Sequence, residues 1–173
     1  MSERFRDTGA RLWGLARELL VVCPHCGGRA VVLVDPGYRE CPRHPGEHLM
    51  AARRLSCPGC GHTGTWRPRP WRKGDGDLFF GGGPPLAVPR MTGPEDPFFG
   101  LPLWLRRRCR GRILWAYNAA HLDLLEGYVG ARLRERHPHT GSGSLVERLP
   151  AWIKAAGNRE EVLAAIRDLR TRL

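Results

Sequence analysis

Lysine is scarce in this 173-residue chain, where Lys73 and Lys154 are the only lysines among 28 basic residues. An arginine-rich chain with 22 glycines and 15 prolines can simply reflect a GC-rich genome. The formal net charge of +11 therefore does not by itself identify a nucleic-acid partner. No apolar run approaches the roughly 18 residues that a membrane span needs, so we expect no membrane partner.

Motifs typical of enzymes are missing as well. No Ser/His/Asp arrangement, phosphate loop or pair of catalytic carboxylates stands out, and no Gly-Lys-Ser/Thr follows the glycines at 81–83. The first ten residues are polar and charged, without the apolar segment of a signal peptide. We predict a cytoplasmic protein that is not an enzyme, in which cysteines bind metal rather than form disulfides.

Four of the six cysteines fall in two matching knuckles of the form Cys-Pro-x-Cys-Gly. The first holds Cys23 and Cys26, and the second holds Cys57 and Cys60. The proline fixes φ after the first cysteine, and the final glycine supplies a residue that tolerates positive φ. Two such pairs predict a four-thiolate metal site. Four thiolates leave no coordination position open, so we expect a structural ion rather than a reaction centre.

Apolar segments lead into and out of each knuckle. The first knuckle lies between residues 19–22 and 29–34, and the second between residues 51–56 and 62–67. β-branched residues are frequent in these segments, which favours strands. We therefore predict two β-hairpins, each with a knuckle at its tip.

Over residues 19–67 the chain resembles zinc ribbons of the transcription-factor-IIB type and rubredoxins, which carry such knuckles on two hairpins. Resemblance to the zinc ribbons implies one structural zinc ion, whereas resemblance to rubredoxins implies iron and electron transfer. The thirty residues between Cys26 and Cys57 are close to the rubredoxin spacing. Rubredoxins are typically acidic, however, and this segment is basic. We therefore expect zinc, with iron as the second choice.

The segment from Asp35 to His48 is predicted to be a loop, because it contains two Pro-Gly pairs. It offers three further possible ligands, Cys41, His44 and His48. A second metal site would need four ligands, and a fourth is not evident. We interpret the three as a free cysteine and solvated histidines.

Composition predicts an α+β fold in three parts. Residues 1–67 form the zinc ribbon with an N-terminal helix over residues 3–18, and residues 68–97 form an irregular connector rich in Gly and Pro. Residues 98–173 form a β-hairpin followed by about three α-helices. This last part resembles no family that its residues identify.

The helices of the last part have recognisable start signals. Asn118 is expected to cap a helix that reaches about residue 136, and Ser144 a second helix that Pro150 kinks or restarts. Asn158 and Glu161 form a predicted capping box for a final helix to about residue 172. These C-terminal helices offer a possible docking surface for a protein partner.

The predicted hairpin at residues 98–118 has apolar arms and an arginine-rich tip at residues 106–112. Because guanidinium groups match phosphate geometry, we predict that this tip binds nucleic acid. The five arginines concerned are Arg106, Arg107, Arg108, Arg110 and Arg112. Cys109 lies among them, where positive charge is expected to lower its pKa, although a packed thiol is the favoured interpretation.

The sequence thus favours a non-enzymatic zinc-ribbon protein that binds DNA, RNA or a nucleoprotein machine through a basic surface. Four thiolates and one zinc ion together carry −2, so the metal-loaded chain would have a net charge of +9. The main alternative is an adaptor subunit of a bacterial complex that binds only protein. A rubredoxin-like iron electron carrier is the second alternative.

Overall fold

The computed structural model of this protein describes residues 4–39, 46–135 and 143–173. It contains two compact units: Ala16–Trp104, and the described parts of Met1–Leu15 together with Leu105–Leu173. Both strands and helices are present, which confirms the α+β fold class. The sequence-based boundaries at residues 67 and 97 stay a prediction, because compactness does not show which segments fold independently.

The described residues form ten strands, four α-helices and three short 3-10 helices. The strands are β1 (Arg4–Arg6), β2 (Glu18–Val22), β3 (Arg29–Val34), β4 (Arg53–Ser56), β5 (Thr63–Trp66), β6 (Leu78–Phe79), β7 (Leu86–Ala87), β8 (Leu105–Cys109), β9 (Arg112–Ala116) and β10 (Leu133–Glu135). The helices are α1 (Ala119–Gly130), α2 (Leu145–Arg148), α3 (Ala151–Lys154) and α4 (Arg159–Arg170), with 3-10 helices at Leu12–Leu15, Glu47–Met50 and Ala156–Asn158.

The unit Ala16–Trp104 is built on one antiparallel sheet in the order β2-β3-β4-β5. β2 pairs with β3 and β4 pairs with β5, which confirms the two predicted hairpins. Leu19, Val32 and Leu55 lie side by side across three strands, and all three are buried. Alternate residues of β2, β3 and β4 therefore form the core, as expected for a sheet with one buried face.

The Gly/Pro-rich connector is mostly irregular but folds back on itself, and the residues that follow it pair with the sheet. β6 and β7 form a two-residue ladder within it. Beyond it, the Val22 N–H donates to the Pro102 carbonyl at 2.8 Å, and the Trp104 N–H donates to the Leu20 carbonyl at 2.9 Å. Residues 102–104 thus cover the outer edge of β2, which would otherwise present unpaired backbone groups.

A buried carboxylate organises the turn that precedes this edge. Asp96 is 2% exposed, and its Oδ1 accepts the N–H groups of Phe98 and Phe99 at 2.9 and 2.8 Å. Its Oδ2 accepts the Leu101 N–H at 2.7 Å. Burial raises the pKa of Asp96, although these three donors oppose that effect. The side chain thereby fixes the backbone that delivers residues 102–104 to β2.

Replacing Asp96 by Ala should lower the free energy of unfolding by about 2–4 kcal/mol, because one buried and two partly buried N–H groups lose their acceptor. Asp96→Asn should lower the free energy of unfolding by less. Its amide oxygen can still accept the N–H groups of Phe98 and Phe99, but its NH₂ group cannot accept the Leu101 N–H. Urea denaturation measures both effects, with the exposed Asp77→Ala as control. Equal stability of Asp96→Ala and Asp77→Ala would contradict the assigned role.

Arg53 is a fully buried arginine in the same unit. Its Nη1 donates to the Ala16 carbonyl at 2.7 Å, its Nη2 donates to the His48 carbonyl at 2.6 Å, and the guanidinium lies 4.1 Å from the centre of the Phe98 ring. Burial, together with the charge of Arg17, lowers the pKa of Arg53 to about 10, so the group stays charged at neutral pH. Carbonyl oxygens and an aromatic face therefore replace water around this cation.

The loop that precedes β4 differs from the prediction. His48 is 2% exposed rather than solvated, because the 3-10 helix Glu47–Met50 turns its side chain into the core. The predictions for Cys41 and His44 lie outside the described residues.

The second unit combines the β8–β9 hairpin with packed helices. α1 and α4 pack on each other, and α4 also packs on β8. Arg110 and Gly111 form the turn, with φ values of 51° and 71°. Positive φ at both positions is the pattern of a type I′ turn, whose twist matches that of the strands. The predicted hairpin is therefore confirmed, with strands that extend further into the arginine-rich segment than expected.

The helix start signals are mostly confirmed. The Asn118 Oδ1 accepts the His121 N–H at 3.0 Å, and Ser144 forms a capping box with Glu147. Pro150 separates α2 from α3, as its lack of an N–H predicts. The box predicted from Asn158 is wrong, because its side-chain amide donates to the Trp152 carbonyl at 2.8 Å instead.

Two helix predictions fail for non-local reasons. The helix over residues 3–18 is wrong: β1 pairs in parallel with β10, and Gly9 has a φ of 75° that interrupts any helix. The helix from Asn118 ends at Gly130 rather than near residue 136, because Ala131 is extended and leads into β10. Both segments exchange helical hydrogen bonds for a strand pairing that the sequence alone does not specify.

His121 is a core histidine of α1. It is 1% exposed, its Nδ1 accepts the Tyr117 N–H at 3.2 Å, and its ring contacts Trp115 and Tyr117 edge-on. Burial lowers the pKa of His121 to about 4. The folded protein therefore binds this proton less readily than the unfolded chain, where histidine titrates near 6.5.

Because the folded pKa of His121 is depressed, its neutral form contributes stability above about pH 6.5 that is lost as the pH falls toward 4. The expected loss for this group is about 3 kcal/mol between pH 7 and pH 4. His121→Asn retains an acceptor for the Tyr117 N–H without titrating, so its unfolding free energy should vary less with pH. Urea denaturation from pH 4 to pH 7 measures the difference, and parallel profiles would contradict this account.

Candidate metal centre and basic strand

The two knuckles have the same backbone hydrogen bonds. The Gly27 N–H donates to the Cys23 carbonyl at 3.0 Å, and the Gly61 N–H donates to the Cys57 carbonyl at 2.9 Å. Both glycines have positive φ, 70° and 73°, which explains why glycine follows the second cysteine of each pair. The repeated turn presents two cysteine side chains from each hairpin in the same orientation.

The structure brings the four predicted cysteines together. The Sγ atoms of Cys23, Cys26, Cys57 and Cys60 all lie within 4.8 Å of one another. Across the knuckles, Cys23 and Cys60 are 3.7 Å apart and Cys26 and Cys57 are 3.6 Å apart. These distances exceed a disulfide bond of about 2.05 Å. They match the spacing of about 3.8 Å between sulfurs that surround a tetrahedral ion at about 2.3 Å.

Backbone N–H groups point at the sulfurs. The His25 N–H lies 3.4 Å from the Cys23 Sγ, and the Gly28 N–H lies 3.4 Å from the Cys26 Sγ. Donors of this kind stabilise thiolates and hold metal ligands in place from outside the coordination sphere. Among the described residues, these four cysteines form the group whose donor atoms suit a metal ion.

The thiols of the cluster do not ionise independently. Burial raises the pKa of Cys23. Hydrogen bonds outweigh that effect and lower the pKa to about 6; they come from the N–H groups of Cys26 and His25 and from the thiols of Cys57 and Cys60. At Cys60 the His62 N–H lowers the pKa, but burial and the three other thiols raise it to about 12. One thiolate therefore forms readily, whereas four close thiolates need a cation to offset their repulsion.

The cluster has a buried side and an exposed side. Cys23 and Cys57 are 1% exposed, whereas Cys26 and Cys60 reach the surface. His25 and His62 stack at the edge of the knuckles, with ring centres 5.9 Å apart and planes 7° apart. An ion held here would have one buried and one exposed cysteine ligand from each hairpin.

The predicted arginine-rich tip is a strand. Arg106, Arg107 and Arg108 lie on β8, and only Arg110 belongs to the turn. Along β8 the exposed Arg106 and Arg108 alternate with Leu105, Arg107 and Cys109. These arginines are predicted to lie at a tip between apolar arms, whereas three of them lie on β8 itself, where Arg106 and Arg108 make its exposed face basic.

The five arginines divide into two groups. Arg107 pairs with Asp168 at 3.0 Å, and Arg110 pairs with Glu161, both carboxylates belonging to α4. Arg106, Arg108 and Arg112 are exposed and have no carboxylate partner among the residues that the structure describes. The first two arginines therefore hold the hairpin on α4, and the other three remain available for a ligand.

Cys109 is a packed thiol on the inner face of β8. It is 7% exposed, and its Sγ lies 3.9 Å from the Glu161 carbonyl oxygen. Burial, followed by the charge of Glu161, raises the pKa of Cys109 despite Arg107 and Arg110. The expectation of a lowered pKa is therefore wrong, because desolvation exceeds the effect of the neighbouring cations.

Sequence inspection did not identify a groove on the unit Ala16–Trp104. It encloses about 480 Å³, and Trp66, Arg67, Arg69 and Arg90 are among the residues that line it. The signal in the sequence is the spacing of arginines among prolines from residue 67 onward, in the segment predicted to be a connector. Folding of that connector brings Arg67 and Arg90 to the same groove.

Comparison with protein-family models, with curated proteins and with solved structures finds no match to this chain. None of the described helices is long and apolar enough to cross a membrane. Functional inference therefore depends on the four-cysteine cluster and on the charged surfaces.

The cluster should bind one metal ion per chain. Cys26→Ala and Cys60→Ala should each lose the ion on dialysis against a competing chelator, because three thiolates remain. Atomic emission of the dialysed protein gives the metal-to-chain ratio. Cys109→Ala, which changes a cysteine outside the cluster, is the control and should retain the ion.

Metal removal from the wild-type protein should lower the free energy of unfolding by about 4 kcal/mol where free metal had exceeded its Kd by 1,000-fold. Full metal content in Cys26→Ala, or unchanged stability after complete removal, would contradict a structural metal site.

Proposed function

We propose that the protein is a zinc-ribbon protein that binds nucleic acid, or a nucleoprotein complex, through the exposed arginines of β8 and β9. The observation that carries the proposal is the exposed positive charge of this hairpin. Arg106 and Arg108 lie on the exposed face of β8, and Arg112, which pairs with Cys109, is exposed beside the turn. None of the three has a carboxylate partner among the described residues. Phosphate is the ligand that arginine forks match best.

The proposed zinc ion has a structural role. Cys23, Cys26, Cys57 and Cys60 would hold it, and the sulfur spacing and N–H donors described above fit such an ion. Zinc bound by four thiolates serves as a cross-link between chain segments. All-sulfur donor sets suit zinc and iron alike, and the basic surroundings favour zinc over a rubredoxin-like iron centre.

The hairpin has the rigidity that a binding surface requires. Its type I′ turn fixes the register of β8 and β9, and ion pairs from Arg107 and Arg110 attach it to α4. The free arginines therefore start from a backbone that needs no ordering on binding. The net charge of +9 of the metal-loaded chain, +11 from its residues and −2 from four thiolates with one zinc ion, adds long-range attraction toward a polyanion.

The C-terminal helices offer less support for a purely protein-binding adaptor. On α4, Glu161 and Asp168 are paired with arginines of the hairpin, and Arg170 pairs with Asp123 and Glu126 of α1. These charged side chains of α4 therefore pair within the unit rather than remain available to a protein partner. The adaptor remains the alternative that the following experiment separates from nucleic-acid binding.

Replacing Arg106, Arg108 and Arg112 by Ser should weaken binding to DNA or RNA and flatten its dependence on salt. Each lost phosphate contact reduces the slope of log K against log salt by about 0.7–0.9, so the slope should fall by about 2–3. Fluorescence anisotropy of a labelled oligonucleotide over a range of NaCl concentrations measures this slope.

A second triple variant controls for net charge. Arg39, Arg132 and Arg167 are exposed arginines elsewhere, and their replacement by Ser removes the same charge. This control should retain most of the slope. Equal slopes in both variants, or no binding by the wild-type protein to any DNA or RNA, would contradict the proposal, and a stable protein partner after nuclease treatment would favour the adaptor.

A further inference from the structure

The groove on the unit Ala16–Trp104 combines an aromatic ring with positive charge. Trp66 ends β5 and lines the groove together with Arg67, Arg69 and Arg90. Its volume of about 480 Å³ lies within the range of sites that hold small molecules. The residues that form it come from the end of the sheet and from the folded connector.

The charge of the groove is not cancelled internally. Asp75 is its one carboxylate among the described lining residues, and it binds Arg69 through two contacts of 2.6 and 2.7 Å. The side-chain hydrogen bond from Arg69, with the N–H of Arg72, lowers the pKa of Asp75 to about 2. Arg67 and Arg90 are exposed and have no carboxylate partner in the described part of the chain. The groove therefore presents two free guanidinium groups.

The Trp66 side chain, which forms the aromatic part of the groove, is held in place by packing against Phe98. Trp66 packs edge-on against Phe98, with ring centres 5.0 Å apart. Phe98 in turn lies under the buried Arg53 guanidinium, 4.1 Å from its ring centre. Trp66 itself is only partly buried, so its indole is both fixed and accessible.

We propose that this groove binds a nucleotide of a single-stranded nucleic acid, with the base stacked on Trp66 and the backbone phosphates at Arg67 and Arg90. Single-strand binding sites combine these two elements, a basic track for phosphates and aromatic rings for unpaired bases. A duplex keeps its bases stacked within the helix, so it can supply the phosphates but not the base. The inference extends the proposed function by naming the form of nucleic acid, and it rests on that function.

The test uses four labelled ligands on the full-length, metal-loaded protein: an eight-nucleotide oligothymidylate, the same strand with abasic sites, the matching duplex and poly-glutamate. The oligothymidylate should bind at least about 10-fold more tightly than the abasic strand, because one stacked base contributes a factor of this order or more. Fluorescence anisotropy at fixed salt gives each affinity.

Variants separate the base contact from the phosphate contacts. Trp66→Leu should remove the preference for thymidylate over the abasic strand, and Trp66→Phe should restore part of it, since phenylalanine also stacks. Arg67→Ser with Arg90→Ser should weaken binding of the thymidylate strand and the abasic strand alike, because both strands carry the backbone phosphates. The Arg106, Arg108 and Arg112 triple variant should weaken both forms of nucleic acid.

The two proposals fail separately. Equal affinity for thymidylate and abasic strands, or for thymidylate and poly-glutamate, would overturn the groove assignment and leave the hairpin surface unaffected. Loss of single-strand binding in the groove variants with no effect of the hairpin variant would support the groove and contradict the hairpin surface. Because the abasic comparison uses unaltered protein, it decides the matter even where Trp66→Leu does not fold.

Discussion

Four sulfur atoms within 4.8 Å of one another set the main constraint on the unit Ala16–Trp104. As thiolates they repel, and as thiols they offer only weak hydrogen bonds, so the arrangement is stable chiefly around a cation. The strands that carry them have four to six residues, and an ion bound at the tips would add a cross-link between the two hairpins. The cluster brings the tips of the β2–β3 and β4–β5 hairpins together at one end of the sheet.

Arginine serves three different purposes in this chain, and local environment decides which. Arg53 is buried, where carbonyl oxygens and the Phe98 ring surround it. Arg107 and Arg110 pair with carboxylates of α4 and fix the hairpin. Arg106 and Arg108 occupy the alternate positions of β8 and remain exposed. A count of basic residues therefore overstates the charge that a partner would meet.

Local signals predicted the parts of this fold that depend on short-range chemistry. The Cys-Pro-x-Cys-Gly knuckles, the Asn118 cap and the break at Pro150 each require only neighbours within a few residues. β1 and β10 were missed because their pairing joins residues about 130 positions apart in the chain. The inner and outer faces of β8 could have been separated from the sequence if Arg110-Gly111 had been recognised as a two-residue turn, since the turn fixes the register.

The remaining failures concern burial. The pKa of Cys109 depends on packing against α4. His48 is buried by a 3-10 helix, whereas the prolines and glycines around it predict a loop. The groove at Trp66 needed the fold of the connector, because Arg67 and Arg90 are separated by more than twenty residues. Tertiary placement, rather than residue type, decides these three features.

X-ray absorption spectroscopy of the protein as purified tests the central claim most directly, since it reports the element and its ligands together. The account predicts a zinc edge with four sulfur neighbours at about 2.3 Å and no nitrogen or oxygen in the first coordination sphere. An iron edge would contradict the zinc assignment, and a mixed shell containing nitrogen or oxygen would contradict the closed four-cysteine site.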